Sequence, residues 1–577
     1  MGSSKIMNKE TQRIILASIL ITLVAYFYPN FWYVDNSTSN NSTNIDTTVL
    51  DNETITKTTS KGDDNDDLYN KNSKIDKHEK KTINIANKLY YTTLSSESGG
   101  TFISTQLVEK NNDIYKYSQK NIVSETDDRP IRLGNVNPDL PVVLEGGSCN
   151  PCLAIYDSNA QQYEYINSPF KLLGQNMNSE YFLNDDDTLI LNFETIWNNI
   201  PIQKTITFYG SSYETVHQYS IASATTNRLE VVWDGGMQAV DQADYDWETG
   251  NAMIGQSGET ESIQISDGER YISREEYNGS TDWVSVRTKY FIAAVLANDT
   301  ADYAVMSGGV SQDDISSSYT VGLGYYGRKQ INTSVYLGPL DIDYIGPLNN
   351  SLDDTINFGF AIVRPIGKFV LWFLKLMHNT FSLNYGICLI IFAFIIQLIT
   401  SPLTKKMYES SRKMQEIQPK VKKIQEKYKN DAQKMNQEVM KIYSENGVNP
   451  LGGCLPLLLQ MPLLMAIFSV FRDTIEFRGA SFIFWINDLS QPDILFHLPF
   501  SIPLYGDHVA FLPIIMGISI FLTQRLSMAT MDPAQRPMMY IMNGFFILIF
   551  NGFPAGLNLY YTVYNLLNYY QQKTIRS

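Results

Sequence analysis

Five apolar runs crowd the last third of a 577-residue chain, and each carries its few polar residues toward one end. They are Tyr385–Thr400, Leu451–Phe471, Val509–Leu522, Pro537–Phe553 and Ala555–Tyr570. A helix crosses the hydrocarbon core of a bilayer in about 20 residues, so runs of this density predict a polytopic α-helical membrane segment. Threaded alternately through a bilayer, they place Gln397, Gln460, Asn543, Asn565 and Asn568 in the half that faces a Lys/Arg-rich loop. An amide left unpaired in hydrocarbon costs about 2–7 kcal/mol, and intramembrane polar groups therefore face one another or water. Five such residues at similar depth predict a wet cavity open to one side. A symmetric pore would spread them across the whole thickness.

The side follows from charge. Leu403–Pro450 holds eleven Lys and Arg against six acids, a net +5 in a chain whose total is −15. A short basic loop between spans stays cytoplasmic, so the cavity is expected to open to the cytoplasm. The acidity lies mainly in the polar first half, which argues against nucleic-acid binding there. Four cysteines are too few for a disulfide scaffold.

Near the start, Ile14–Tyr28 is an apolar run preceded by Lys9 and Arg13. No small-residue cleavage site follows it, whereas Tyr26, Phe27, Tyr28, Phe31, Trp32 and Tyr33 resemble an interfacial belt. An uncleaved signal-anchor over residues 1–34 is expected, giving six spans with both termini cytoplasmic. Residues 35–81 are rich in Asn, Ser, Thr, Asp and Lys and read as a disordered tether.

Residues 82–345 are patterned for strands. Leu189, Leu191, Phe193 and Thr195 alternate with Ile190, Asn192 and Glu194, and Ile202, Lys204, Ile206 and Phe208 alternate with Gln203, Thr205 and Thr207. Period two with β-branched and aromatic residues predicts half-buried antiparallel strands. The size suits one large antiparallel β-sandwich on the exported side. Cys149-Asn150-Pro151-Cys152 has redox-motif spacing, but it lies in a Gly-rich turn without a following helix. A local disulfide between Cys149 and Cys152 in an oxidising compartment is the better reading. Asp185–Asp187 lack the ligand spacing of a calcium loop and read as a solvated hairpin tip. The five histidines (78, 217, 378, 497 and 508) form no ligand motif, and there is no nucleophile elbow, P-loop or metal signature. Nothing in the chain asks for an enzyme, a metal or a cofactor.

Between the two parts, residues 346–380 form a connector. Within it, Phe358–His378 interleaves Arg364, Lys368 and Lys375 with Ile362, Ile366, Phe369, Phe373 and Met377, and Trp372 and Leu376 widen the apolar face. It reads as an amphipathic helix on the outer membrane surface, or alternatively as a connecting helix packed on protein. Residues 403–450 carry Met407, Met414, Val421 and Tyr428 at seven-residue spacing, and Ala432, Met435, Val439 and Ile442 after a break. This predicts an antiparallel helical hairpin with a narrow apolar seam. Its exposed cations Lys405, Lys406, Arg412, Lys413, Lys422 and Lys423 suit it to docking, and a solvated spacer is the alternative.

These residues resemble the YidC-type membrane protein insertases. Asn449-Pro450-Leu451-Gly452-Gly453-Cys454-Leu455-Pro456, running on to Gln460-Met461-Pro462, is similar to that family's third-span signature. Phe484-Trp485-Ile486-Asn487-Asp488-Leu489 resembles the exported loop that follows, and Ser401-Pro402-Leu403-Thr404 the end of the second span. Phe553-Pro554-Ala555-Gly556-Leu557 with Leu559-Tyr560-Tyr561 resembles the start of the sixth. The likeness covers roughly Gly359–Gln572, and the anchor, tether and β-domain match the layout of Gram-negative members.

The resemblance implies a five-helix insertase core over residues 381–577, enclosing a hydrophilic groove open to cytoplasm and lipid, with a large periplasmic domain. Tyr561 joins the five amides as a groove residue on this reading. Nascent membrane proteins would be the substrates. The lipid bilayer is the medium, and the Sec translocon, the signal recognition particle receptor and the ribosome are implied partners. No nucleotide and no covalent step are needed, because the groove lowers a transfer barrier. One departure is Gln397, which stands where the family usually carries Arg or Lys in the second span. Taken without the resemblance, the buried amides also admit a secondary transporter, and the β-domain an envelope scaffold. A transporter would need repeated halves, and the five spans show no internal repeat.

Overall fold

The computed structural model describes residues 78–107, 143–157, 161–174, 180–222, 228–235, 237, 250–265, 271–310, 317–348, 351–360, 362–429, 431–447, 455–502, 505–528 and 536–576. The expected signal-anchor, nearly all of the tether and the first residues of the Leu451–Phe471 run lie outside them. The described residues fall into two compact units that divide after Thr355.

The first unit is all β apart from a few short helical turns at its end. Alternation decides which way each strand faces. On Thr188–Trp197, Leu191 and Phe193 are buried while Asn192 between them and Ile190 before them are exposed, Ile190 by 56%, as period two requires. This strand pairs antiparallel with Ile200–Tyr209, setting Leu191 opposite Ile206 and Phe193 opposite Lys204. They belong to a thirteen-stranded sheet. Its spine is the twenty-residue strand Phe291–Val310, which pairs along one half with Gln330–Pro339 and along the other with Ser317–Tyr326. A second sheet has five strands, Val143–Glu145, Thr101–Leu107, Tyr90–Ser95, Thr82–Ala86 and Glu180–Phe182 in that order. It packs on the large one through Phe102, whose ring lies 6.4 Å from Phe208 and 6.3 Å from Trp233. The sandwich expectation needs two corrections. The sheets are very unequal, and Thr82–Ala86 pairs parallel with Glu180–Phe182, which a connection of nearly a hundred residues allows and a hairpin would not.

Lys204 is fully buried between the sheets. Its Nζ donates to the carbonyls of Ser98 at 3.0 Å, Pro151 at 3.2 Å and Gly100 at 3.4 Å. Loss of hydration drives its amine down from 10.5 to about 7. Gly100 has a φ of +95°, and a Cβ there would lie 2.5 Å from Ile206 Cδ1, so only glycine lets the loop come this close. Cys149 and Cys152 are joined in a disulfide and packed against Ala154 and Val232. Asn150 between them pins the turn, donating to the Asp234 carbonyl at 2.7 Å and accepting from Gly147 N at 2.6 Å.

The second unit is helical: α1 Arg364–Phe381, α2 Tyr385–Lys427, α3 Ala432–Glu445, α4 Leu455–Asp473, α5 Leu512–Met528, α6 Arg536–Phe550 and α7 Ala555–Arg576. Within α2, Tyr385–Pro402 is long and apolar enough to cross a membrane, with mean hydropathy 2.0, and Leu512–Arg525 and Tyr540–Phe550 are apolar but shorter. Asn384 caps α2 by accepting from Gly386 N at 2.8 Å. The apolar run and the first basic arm are one 43-residue helix that passes through Pro402 and Pro419. Val509 and Ala510, assigned above to a span, instead close a β-hairpin, and the helix starts at Leu512. On α1, Val370, Leu371 and Leu374 are buried while Phe369, Trp372 and Leu376 are exposed. Its Lys375 donates to Glu476 Oε1 at 2.7 Å, just beyond the end of α4. The helix therefore packs on protein along one side and offers an apolar stripe on another.

Candidate substrate groove

The polar residues collect along α2, α5 and α7. On α7, Tyr561, Asn565, Asn568 and Gln572 follow one another at spacings of four, three and four, which places them along one helical face. Gln397 of α2 is 7% exposed. Its Nε2 donates to Gln571 Oε1 at 2.6 Å, and Gln571 Nε2 donates in turn to the Ser401 carbonyl at 3.0 Å and its Oγ at 2.5 Å. Thr523 Oγ1 of α5 reaches the Asn565 carbonyl at 3.3 Å. Helical rise of 1.5 Å per residue sets Gln397, Thr523 and Asn565 about 15–18 Å from the α2, α5 and α7 N-termini, and Ser401 and Gln571 about 24 Å. These rungs thus span the C-terminal half of α7 and the parts of α2 and α5 beside it.

Asn543 stands apart from them. It lies midway along α6, is 8% exposed and donates to the Gly517 carbonyl at 3.3 Å. Gly517 is only five residues into α5. No described hydrogen bond links Asn543 to the Gln397 rungs. Tyr561 lies nearer the start of α7, its ring 5.0 Å from Tyr560 and 6.3 Å from Phe550. Asn565 and Asn568 are half-buried, and the side chain of Gln460 lies outside the described residues. Among the described residues, Gln397 Oε1, Gln524 Oε1, Asn543 Oδ1, Tyr561 OH and Gln572 Oε1 are buried with no hydrogen-bond partner. Buried polar atoms are rarely left so.

Of the hairpin cations, Lys405, Lys413, Lys422 and Lys423 are exposed, and the side chains of Lys406 and Arg412 lie outside the described residues. Where α2 ends, Lys427 and Lys434 stand 5.2 Å and 5.3 Å from the Tyr428 ring, fastening the turn into α3. Among the described residues no cluster of His, Cys, Asp and Glu could hold a metal. Sequence reasoning missed Gln571, Gln524, Ser401 and Thr523. The polar stripe of α7 carried the signal, since its period runs on past Asn568 into Gln571 and Gln572.

Comparison with known proteins gives this arrangement its context. A family model described as 60Kd inner membrane protein matches residues 376–577, and one described as YidC periplasmic domain matches residues 167–373. The membrane protein insertase YidC of Chloroherpeton thalassium is 34% identical over 513 residues, spanning 86% of this chain and 82% of that one. The chain belongs to the YidC family of membrane protein insertases. The relative from Chlorobaculum tepidum is 32% identical over 85% of this chain and 81% of its own. That from Pelodictyon phaeoclathratiforme is 37% identical over 63% and 64%. A solved structure described as an active YidC insertase with its first transmembrane domain resolved aligns over 86% of this chain and 93% of its own, at 16% identity and a TM-score of 0.33. As a member of this family the chain is an inner-membrane insertase with a periplasmic β-rich domain, acting on nascent membrane proteins in the lipid bilayer, and it is not an enzyme.

Proposed function

We propose that this insertase works through a hydrophilic groove bounded by α2, α5 and α7, open to the cytoplasm and to lipid and closed toward the periplasm. The observation that carries this reading is the Gln397–Gln571–Ser401 chain of amides, with unpartnered acceptors beside it in an otherwise apolar bundle. A substrate's short polar segment rests there while its apolar helix partitions into lipid. The groove replaces hydrocarbon with water and amides halfway across, which removes part of the several kcal/mol that each polar group costs in lipid. Gln397 contributes a neutral amide where the family usually has a cation, so capture proceeds by hydrogen bonding rather than by a fixed charge. Asn543 and Tyr561 line the inner end, and Gln460, Asn565 and Asn568 the cytoplasmic part.

The topology that goes with this has six spans, an N-terminal signal-anchor over residues 1–34 and five helices over 381–577, with both termini cytoplasmic. The tether 35–81 and the β-domain 82–345 then lie in the periplasm, where the Cys149–Cys152 disulfide is chemically at home, and the connector 346–380 lies at the membrane surface. The basic arms over 403–450, with Lys405, Lys406, Arg412, Lys413, Lys422 and Lys423, are the docking element for the ribosome or the signal recognition particle receptor. Cooperation with the Sec translocon belongs to the same reading. The test is reconstitution of the purified chain alone in liposomes, scored by protease protection of a small single-span substrate. Insertion at the rate of empty liposomes would remove the proposal.

A further inference from the structure

Between α4 and α5 the chain makes a two-stranded hairpin, Ile494–Ile502 with Gly506–Ala510, bulged between His497 and Ile502. Its first strand turns large apolar groups outward. Leu495 is 45% exposed, Phe496 55% and Phe500 61%. Just before it, Phe484 and Trp485 stack with ring centroids 5.8 Å apart, and Phe484 is 85% exposed. Between Ile494 and Ala510 the only Lys, Arg, Asp or Glu is Asp507. A soluble surface rarely shows so many aromatics together.

The hairpin is held firmly. Asn551, in the turn between α6 and α7, is 1% exposed. Its Oδ1 accepts from Ala510 N at 3.0 Å, and its Nδ2 donates to the carbonyls of Tyr505 and His508, each at 2.8 Å. Asp493 at the other root accepts from Phe511 N at 3.2 Å, Leu512 N at 2.8 Å and Trp485 Nε1 at 3.2 Å. Both roots are thus fixed to the end of the bundle where α5 and α7 begin and α4 and α6 finish. The basic arms leave from the opposite end. On the topology proposed above, this is the level of the periplasmic membrane–water boundary.

We infer that this hairpin is a lipid-seated element whose Leu495, Phe496 and Phe500, flanked by Phe484 and Trp485, rest in the headgroup–acyl boundary of the outer leaflet. Lipid is the occupant because the aromatic cluster adjoins the ends of helices that carry exposed apolar residues such as Ile518 and Leu548, and because aromatic side chains favour this boundary. A two-stranded ribbon cannot sink into hydrocarbon, since its outer edges would leave N–H and C=O groups unpaired. It lies in the boundary plane instead, with its rings dipping about 5–10 Å. The near absence of charge makes the seat indifferent to headgroup sign.

The test keeps the full chain and the Cys149–Cys152 pair, with Cys388→Ser and Cys454→Ser as background. Phe496→Cys, Phe500→Cys and Asp507→Cys each carry a nitroxide, and the protein is reconstituted in vesicles of zwitterionic lipid with and without an anionic fraction. Power saturation compares collisions with oxygen, which concentrates in lipid, and with an aqueous nickel chelate. At Phe496 and Phe500 oxygen should dominate at least twofold over its ratio at Asp507, unchanged by anionic lipid or salt. Nickel accessibility equal to that at Asp507 overturns the inference. So does shielding from both reagents, which would mean that protein, including a second copy of this chain, covers the strand. Insertion activity is not the readout, so a negative result leaves the groove reading standing.

Discussion

Releasing Gln397 from its partner separates a wet groove from a dry brace. Gln571→Ala removes the acceptor of the 2.6 Å bond from Gln397 and both donations to Ser401. Gln397 Oε1 has no other partner among the described residues, so the whole amide is set free. In a dry site this orphaned group costs about 1–3 kcal/mol. In a hydrated groove, water takes the vacated position, and the net loss stays under about 1 kcal/mol. Gln397→Leu acts differently, because it deletes the amide and adds an apolar plug. If the passing polar segment loses one neutral hydrogen bond worth about 0.7–1.4 kcal/mol at the top of its barrier, insertion slows by about three- to tenfold. Gln397→Ala should fall between wild type and Gln397→Leu. The assay is the initial rate of protease-protected substrate in proteoliposomes, with thermal unfolding in detergent recorded on the same preparations. The expected order is wild type close to Gln571→Ala, both well above Gln397→Leu. Should Gln571→Ala unfold several degrees earlier and insert as poorly as Gln397→Leu, the pair is a structural brace and the groove lies elsewhere.

Three further outcomes follow. Lys204 binds its proton less tightly in the folded state, at about 7 against 10.5, so its penalty is full below pH 7 and fades as pH rises toward 10.5. Wild type should therefore gain stability relative to Lys204→Met by up to about 1.4 kcal/mol per pH unit across that window, and parallel urea curves at pH 7 and pH 9 with the same difference would rule it out. Cysteines at Asn565 and Asn568 should react with an impermeant maleimide from the cytoplasmic side while one at Leu389 stays unlabelled, and equal labelling of all three would indicate a channel. Deletion of residues 82–340 should leave insertion of a simple substrate largely intact, because that unit is compact in itself; a stably expressed, correctly oriented deletion with no activity contradicts this.

The β pattern was legible where one face of a strand met the core. Leu191 and Phe193 buried beside exposed Ile190 is what alternation predicts, yet alternation could not say that Lys204, in the same stripe, would be buried with them. The register between Thr82–Ala86 and Glu180–Phe182 was illegible, because a parallel pairing across so long a separation leaves no local trace. In the helical unit the apolar runs and their amides could be read directly. Their depth could not, since Val509 looked like the start of a span and belongs to a hairpin strand. The partner of Gln397 was also hidden: Gln571 lies 174 residues away, in a segment that read only as the chain's end.

The unbroken course of α2 has a mechanical consequence. Gln397 and Ser401 lie on the same rigid rod as the arm that ends at Lys427, which at 1.5 Å per residue extends about 39 Å beyond Ser401. Pro402, one residue on, lacks the N–H that would bond the Leu398 carbonyl, so the rod has one soft point at the rung itself and a second at Pro419, within the arm. A tilt of the arm reaches the Gln397–Gln571 contact along one continuous helix, through Pro419 and then Pro402, with no loop in between.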